Sequence, residues 1–285
     1  MDRRKKINVN KYESTTDAEL RCVADEYGGR VCPKVRIADA LNINNSGLSD
    51  SEFSYALKAH FDFVIVDGNE GVAFAVEFDG PHHQSGSSAQ RRDQLKNAIC
   101  RRLKMPLLRF DDQHLEPVGF ESPCPGKRSL LAGEFSSVIA WVAECWFLEQ
   151  AFATAKARGD IRPDEPFIAT SFLGKDPTIH ARAFLVEMSR KDVIARDIYE
   201  IDRYQEGDAW MALAVQRIDA DQYIAGFARC LSLNFSAMSA WELCSELAVL
   251  TVAKKLRRYL YGQFAPYSLQ EVDEWKQQLS KKSVA

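Results

Sequence analysis

Two apolar runs, His60–Val66 (HFDFVIV) and Val72–Asp79 (VAFAVEFD), stand on either side of the turn Asp67-Gly68-Asn69-Glu70-Gly71. Glycine and asparagine tolerate the backbone conformations that reverse a chain, so this stretch predicts a β-hairpin. Runs this apolar belong in the middle of a sheet that is covered on both faces. Asp62 lies within the first run, between Phe61 and Phe63. A carboxylate there suffers a large desolvation penalty unless a cation or hydrogen bonds receive it. Glu77 and Asp79 sit two apart on the second run, so period-2 geometry points both to one face, with Val76 and Phe78 on the other. Three carboxylates then converge at one edge of the sheet. Such a set of hard oxygen donors suits Mg²⁺ or Mn²⁺, which keep waters and share oxygens with a substrate phosphate, and phosphoryl transfer is the chemistry it implies.

The neighbouring segments supply a core for this hairpin. Residues 15–27 predict a helix, with Thr16 and Glu19 as a capping box, Leu20, Val23 and Ala24 as the apolar stripe, and Gly28-Gly29 as the stop. Residues 30–37 alternate and predict an edge strand, and 38–59, rich in Asn, Ser and Gly, are read as irregular. After the glycine- and serine-rich loop 80–88, residues 89–103 predict a helix with Leu95, Ala98, Ile99 and Leu103 on one face, and 106–110 (PLLRF) a buried strand parallel to its neighbour. The expected fold class is α/β, a mixed sheet flanked by helices in the order αβββαβ, followed by an α+β C-terminal region.

Prolines 117, 123 and 125 suggest a linker and hence two domains, residues 1–118 and 130–285. In the second, 130–158 predicts a long helix buried on more than one side; 180–188, 193–201, 209–218 and 223–235 predict the strands of a meander; and 240–260 predicts a helix. That unit carries no catalytic motif, and dimerisation, partner docking or target recognition is the role expected of it.

A carboxylate cluster working on phosphate calls for a cation and a proton carrier. Lys96, one turn beyond Arg92 and beside the apolar stripe of its helix, is one candidate, and His83, four residues past Asp79, is the other. Arg91 and Arg92 are candidate nucleic-acid contacts. Each has a plainer reading: Asp79-Gly80 is also ordinary turn chemistry, Glu19 also serves as a cap partner, and Lys96 and Arg92 also fit a solvated helix face with Arg92 paired to Asp93. His82 reads as a loop bystander. The net charge of −3 leaves the partner undetermined, since a local basic patch binds a polyanion on an acidic protein. Seven scattered cysteines (22, 32, 100, 124, 145, 230, 244) with no C-x-x-C pair argue against a disulfide framework or a zinc ribbon. No apolar run of signal-peptide or membrane-spanning length is present, so a cytoplasmic chain without a membrane partner is expected.

The arrangement of Asp62, then Glu77-Phe-Asp79-Gly-Pro-His-His83, then Arg91-Arg92-Asp-x-Leu-Lys96 and the strand PLLRF resembles the PD-(D/E)xK restriction-endonuclease-like superfamily over roughly residues 15–111. Within it the chain looks most like the bacterial branch with an E-x-D-G-x-x-H signature, akin to the very-short-patch-repair endonucleases. The resemblance implies that Asp62 is the motif aspartate, Glu77 the second acid and Glu19 the acid of the first core helix, the three forming a metal site. Asp79 stands where the motif's lysine belongs, which shifts the proton-handling role to Lys96 on the following helix or to His83. The implied function is Mg²⁺- or Mn²⁺-dependent cleavage of DNA, in phage defence or repair, by a homodimer or a chain with a defence-system partner. The rival expectation is a catalytically silent nucleic-acid-binding or scaffold subunit.

Overall fold

A computed structural model describes residues 11–79, 87–111, 138–167, 176–196 and 199–284. The N-terminal part runs α1 (Lys11–Glu26), β1 (Arg30–Arg36), α2 (Ile37–Ala40), α3 (Asp50–Ala56), β2 (His60–Val66), β3 (Val72–Asp79), α4 (Ser87–Arg102) and β4 (Leu107–Asp111). The order αβββαβ is present, with two short helices inserted between β1 and β2. The expectation of irregular structure over 38–59 therefore needs correcting at both its ends. Helix α3 forms because Ser49 and Glu52 make a reciprocal capping box, while Ile37, Ile43 and Ala56 give this stretch an apolar underside.

The C-terminal part continues with α5 (Val138–Arg158), α6 (Pro177–Arg190), β5 (Glu200–Glu206), β6 (Ala209–Arg217), β7 (Tyr223–Leu233), α7 (Ala240–Leu260) and α8 (Leu269–Val284). Residues 180–188, expected as a strand, lie within α6. Asp176 caps that helix by accepting from the Thr178 amide, Pro177 opens it, and the buried Ala181, Phe184, Leu185 and Met188 repeat at helical spacing. The strand expected at 193–201 starts only at Glu200, so the meander has three strands, and α8 was not anticipated.

All seven strands form one mixed sheet in the order β1-β2-β3-β4-β7-β6-β5, and β1 is an edge strand as its sequence suggested. β3 and β4 are parallel, while β4 pairs antiparallel with β7 through Leu107–Leu233 and Arg109–Leu231. The two expected units thus meet in a single sheet. Phe74 of β3 packs at 5.5 Å on both Trp146 of α5 and Phe235 beyond β7, and Asn234 donates to the carbonyls of Cys100 and Met105, 3.1 Å each. Aromatic burial of this kind dominates core energetics, so the halves share a core as well as a sheet.

Helices α1, α5, α6 and α7 cover one face over a core that includes Leu20, Phe63, Phe74, Trp141, Ala228 and Leu247. Residues Val138 to Phe147 of α5 are buried without interruption, which places the first half of that helix inside the protein on all sides, while its second half reaches solvent. Helices α3, α4 and α8 cover the second face, over Val64, Ala75, Leu107 and Leu231 near α4 and over Leu213 and Ala225 near α8. Among the described residues no helix is long and apolar enough to cross a membrane.

The seam between α7 and the sheet has no slack. A Cβ at Gly226 would lie 2.2 Å from the Ala248 carbonyl oxygen and 2.7 Å from the Val252 amide nitrogen, both helix backbone atoms that cannot rotate away. Gly226→Ala is expected to destabilise by about 3 kcal/mol or more, the upper end of overpacking costs, because relief requires moving α7 as a body. Equilibrium urea denaturation reads this directly, and a loss under about 1 kcal/mol would mean that the helix rides more loosely on the sheet.

Candidate active site

The register of β1 to β4 sets four charged residues in one row across the sheet. Pro33 pairs with Phe63 and Val35 with Phe61, which sets Lys34 opposite Asp62; Phe63 pairs with Val76, which sets Asp62 opposite Glu77; and Glu77 pairs with Arg109. Residues directly opposite across strands share a face, so Lys34, Asp62, Glu77 and Arg109 project together toward α4. Alternation along each strand made this unavoidable once Phe63, Ile65, Phe74 and Val76 entered the core on the other side.

Two carboxylates stand at the centre of the row with a cation at each end, joined by contact. Lys34 Nζ donates to Asp62 Oδ1 at 2.6 Å, the Asp62 amide donates to Glu77 Oε1 at 3.2 Å, and Arg109 lies 3.8 Å from Glu77 Oε2. Helix α4 supplies two more members. Lys96 Nζ donates to Glu77 Oε1 at 2.7 Å and to the His60 carbonyl at 2.8 Å, and Asp93 meets Arg109 at 3.1 Å. Asp93 therefore serves Arg109, and its expected pairing with Arg92 is replaced by this buried one. Glu77, Lys96 and Arg109 are each under a tenth exposed, whereas Asp62 and Lys34 reach solvent. Burial pushes the Glu77 carboxyl above its ordinary range and Asp62 adds to that push, while Lys96 and Arg109 pull it back. Lys34 makes its contact from a left-handed backbone, φ 52°, a conformation that costs a lysine about 1–2 kcal/mol.

Above Lys96 lies an open groove of about 620 Å³ between α3 and α4, lined by Ser51, Tyr55, Lys58, His60, Arg91 and Arg92, among others. Its lining includes the basic side chains of Lys58, Arg91, Arg92 and Lys96. Burial, with help from Glu77 and Asp93, pushes the Tyr55 hydroxyl up to about 12, so at neutral pH it is a fixed neutral donor on the groove wall. The groove's outer wall depends on the α3 cap, where the Ser49 amide and hydroxyl both donate to Glu52 Oε2 at 2.8 Å.

Those bonds from Ser49 hold the Glu52 carboxyl below its ordinary value. A lowered pKa contributes stability above the unfolded value of 4.5 and loses it as pH falls through the depressed one. Ser49→Ala is expected to cost about 1 kcal/mol at pH 7, as N-cap losses do, and less in acid. Thermal unfolding of both proteins between pH 7 and 3 checks this; a gap that does not narrow in acid would detach the cap from Glu52.

The structure thus brings together Asp62, Glu77 and Lys96, and sets Arg91 and Arg92 on the groove they adjoin. Glu19 is not part of this assembly: α1 packs through Leu20, Val23 and Ala24 on the opposite face, with the sheet in between. Among the described residues no three His, Cys, Asp or Glu side chains gather to hold a metal ion, so the expected triad of Asp62, Glu77 and Glu19 reduces to a pair. Asp79 ends β3, its backbone paired with Asp111, and its side chain lies outside the described residues, as does His83. Lys34, Tyr55, Lys58, His60 and Arg109 escaped the reading of the sequence. Arg109 alone left a trace there, as a charge inside the apolar strand PLLRF.

Asp62 and Glu77 fit a divalent cation in kind and placement: hard oxygen donors directly opposite on adjacent strands, on one face. The charge countering Asp62 belongs to Lys34, whose side chain is 52% exposed. Residues 10–118 match the model of a family described as a protein of unknown function (DUF2726), a stretch that holds the whole charged row and the groove and ends before α5. No curated protein and no solved structure matches the chain.

Proposed function

We propose that this protein is a metal-dependent nuclease that draws the phosphodiester backbone of DNA along the α3–α4 groove to the Asp62–Glu77 pair. The observation that carries the reading is a groove lined by Lys58, Arg91, Arg92 and Lys96, with Lys96 joined at 2.7 Å to the buried Glu77 carboxylate beside Asp62. Cations along a groove track phosphates, and the Asp62–Glu77 pair that Lys96 joins behind that lining supplies the oxygen donors a divalent cation takes. Asp62 and Glu77 would hold Mg²⁺ or Mn²⁺, which when bound polarises a phosphate and lowers the pKa of a water. Lys96 orients the Glu77 carboxylate and presents its ammonium at the groove floor, while Arg91 and Arg92 position the backbone.

Incubation of the full chain with supercoiled plasmid, with Mg²⁺ or Mn²⁺ and with chelator, tests this. Nicking that needs the metal supports it. A second reading draws on the fact that Lys34 and Lys96 already counter both carboxylates: a silent nucleic-acid-binding subunit. DNA binding without cleavage under either metal would favour it.

The groove itself is testable apart from chemistry. Each phosphate contact removed is expected to reduce the slope of log K against log salt by about 1. Joint replacement of Lys58, Arg91 and Arg92 by serine should lower that slope by about 3 and weaken binding of duplex DNA at least tenfold at low salt. All three side chains are exposed, so folding should be unaffected. An unchanged slope in fluorescence anisotropy would move the DNA elsewhere.

A further inference from the structure

The C-terminal half holds a second cavity, far in sequence from the groove and independent of the nuclease reading. It measures about 310 Å³ and lies between α8 and the β6–β7 face, with Leu213, Phe227 and Leu279 as apolar walls and Lys255, Tyr267 and Trp275 around them. That is the lower end of the size range of small-molecule sites, and the composition, mostly apolar and aromatic with one fixed charge, is theirs too.

The cavity is held open by its own framework. Tyr267 is pinned by a two-way backbone bridge to Tyr223, 2.9 and 2.8 Å, and its ring meets Phe264 at 5.3 Å and Trp275 at 4.6 Å. β4 covers only Cys230 to Leu233 of β7, and past the earlier part of that strand Lys255 reaches from α7 into the cavity. Its ammonium donates to the Ala225 carbonyl at 2.8 Å and the Tyr267 hydroxyl at 3.1 Å and stands 5.1 and 5.5 Å from the Tyr267 and Phe264 rings. An ammonium has three protons, and these contacts use two. Among the described residues Lys255 forms no ion pair. A positioned cation without a counter-charge, in a pocket walled by rings, is arranged to receive an anion attached to an aromatic plane.

We infer that this cavity is a binding site for a small planar aromatic molecule carrying one anionic group, with the anion on Lys255 and the ring against Trp275. Calorimetric titration of the full chain with 2-naphthoate and with its neutral counterpart 2-naphthamide tests it. The acid is expected to bind one to one and about tenfold more tightly than the amide, the advantage of a charge-assisted hydrogen bond. Lys255→Met, which keeps the apolar stem, should erase that preference, and Trp275→Phe should remove the quenching of tryptophan fluorescence on binding while leaving the preference in place. Equal affinity of the two probes, no binding by either at about 1 mM, or an unchanged preference in Lys255→Met overturns the assignment. The comparison of acid with amide in the unmodified protein decides the matter even if Lys255→Met fails to fold.

Discussion

Lys96→Ala is expected to lower the free energy of unfolding by about 3–5 kcal/mol, the cost of stranding a buried charge. Glu77 is 6% exposed and Lys96 7%, and the 2.7 Å contact between them is the shortest that Glu77 makes. With the ammonium gone, the carboxylate keeps the Asp62 amide at 3.2 Å and a distant Arg109, set against the like charge of Asp62 across the strand. The variant therefore leans on protonating Glu77. A carboxyl whose folded pKa is raised contributes stability below its ordinary pKa and loses it as pH rises through the folded value. Burial already sets that direction, so the deficit of Lys96→Ala should be largest at neutral pH and shrink toward pH 4. Combining Glu77→Gln with Lys96→Met removes both charges and should recover most of the loss, because a buried pair is costly to break and cheap to replace whole. Urea titrations of the parent, Glu77→Gln, Lys96→Met and the double variant close the cycle, with Lys96→Ala read beside them. A double variant no more stable than Lys96→Ala would assign the loss to the lysine stem's packing, including its place 5.8 Å over the Phe61 ring, and not to charge.

The same row shows what the sequence made legible. Asp62 and Glu77 stood out because a charge within an apolar strand is costly at any register, so their importance needed no partner to be known. Lys34 did not stand out, for Arg30 to Arg36 reads as an ordinary polar edge, and only the pairing of β1 with β2 sets Lys34 against Asp62. Glu19 was misplaced for the complementary reason: a helical acid can be read off a sequence, but the side of the sheet on which its helix packs cannot. Helices were missed where a local signal went unused. Ser49-x-x-Glu52, Ser239-x-x-Glu242 and Ser268-x-x-Glu271 all form reciprocal caps, opening α3, α7 and α8, yet only α7 was anticipated, from its apolar period. For α6, the run Ala181-Arg182-Ala183-Phe184 imitates strand alternation over a few residues, while the longer spacing of Ala181, Phe184, Leu185 and Met188 is helical. The β4–β7 pairing that fuses the two halves joins residues over a hundred positions apart, with no signal in either strand alone.

Asp62→Asn is expected to reduce metal-dependent cleavage by about 10³-fold, since a metal's charge stabilisation is worth several kcal/mol and each 1.4 kcal/mol is a factor of ten. Its effect on stability should stay under about 1 kcal/mol. Asp62 pairs with Lys34 at the rim, where the lysine side chain is 52% exposed, and solvent screens such pairs to a small net value. This separation distinguishes the two carboxylates of the row: Glu77 is bound into the fold through Lys96, so its removal confounds folding with chemistry, whereas Asp62 is placed to act with little structural duty. DNA binding to the groove should be unchanged or stronger in Asp62→Asn, because the substitution removes a negative charge near the phosphates. A variant that binds DNA and folds like the parent but no longer cleaves would assign the metal to Asp62. A variant that cleaves like the parent would leave the charged row a structural device, its carboxylates serving Lys34, Lys96 and Arg109.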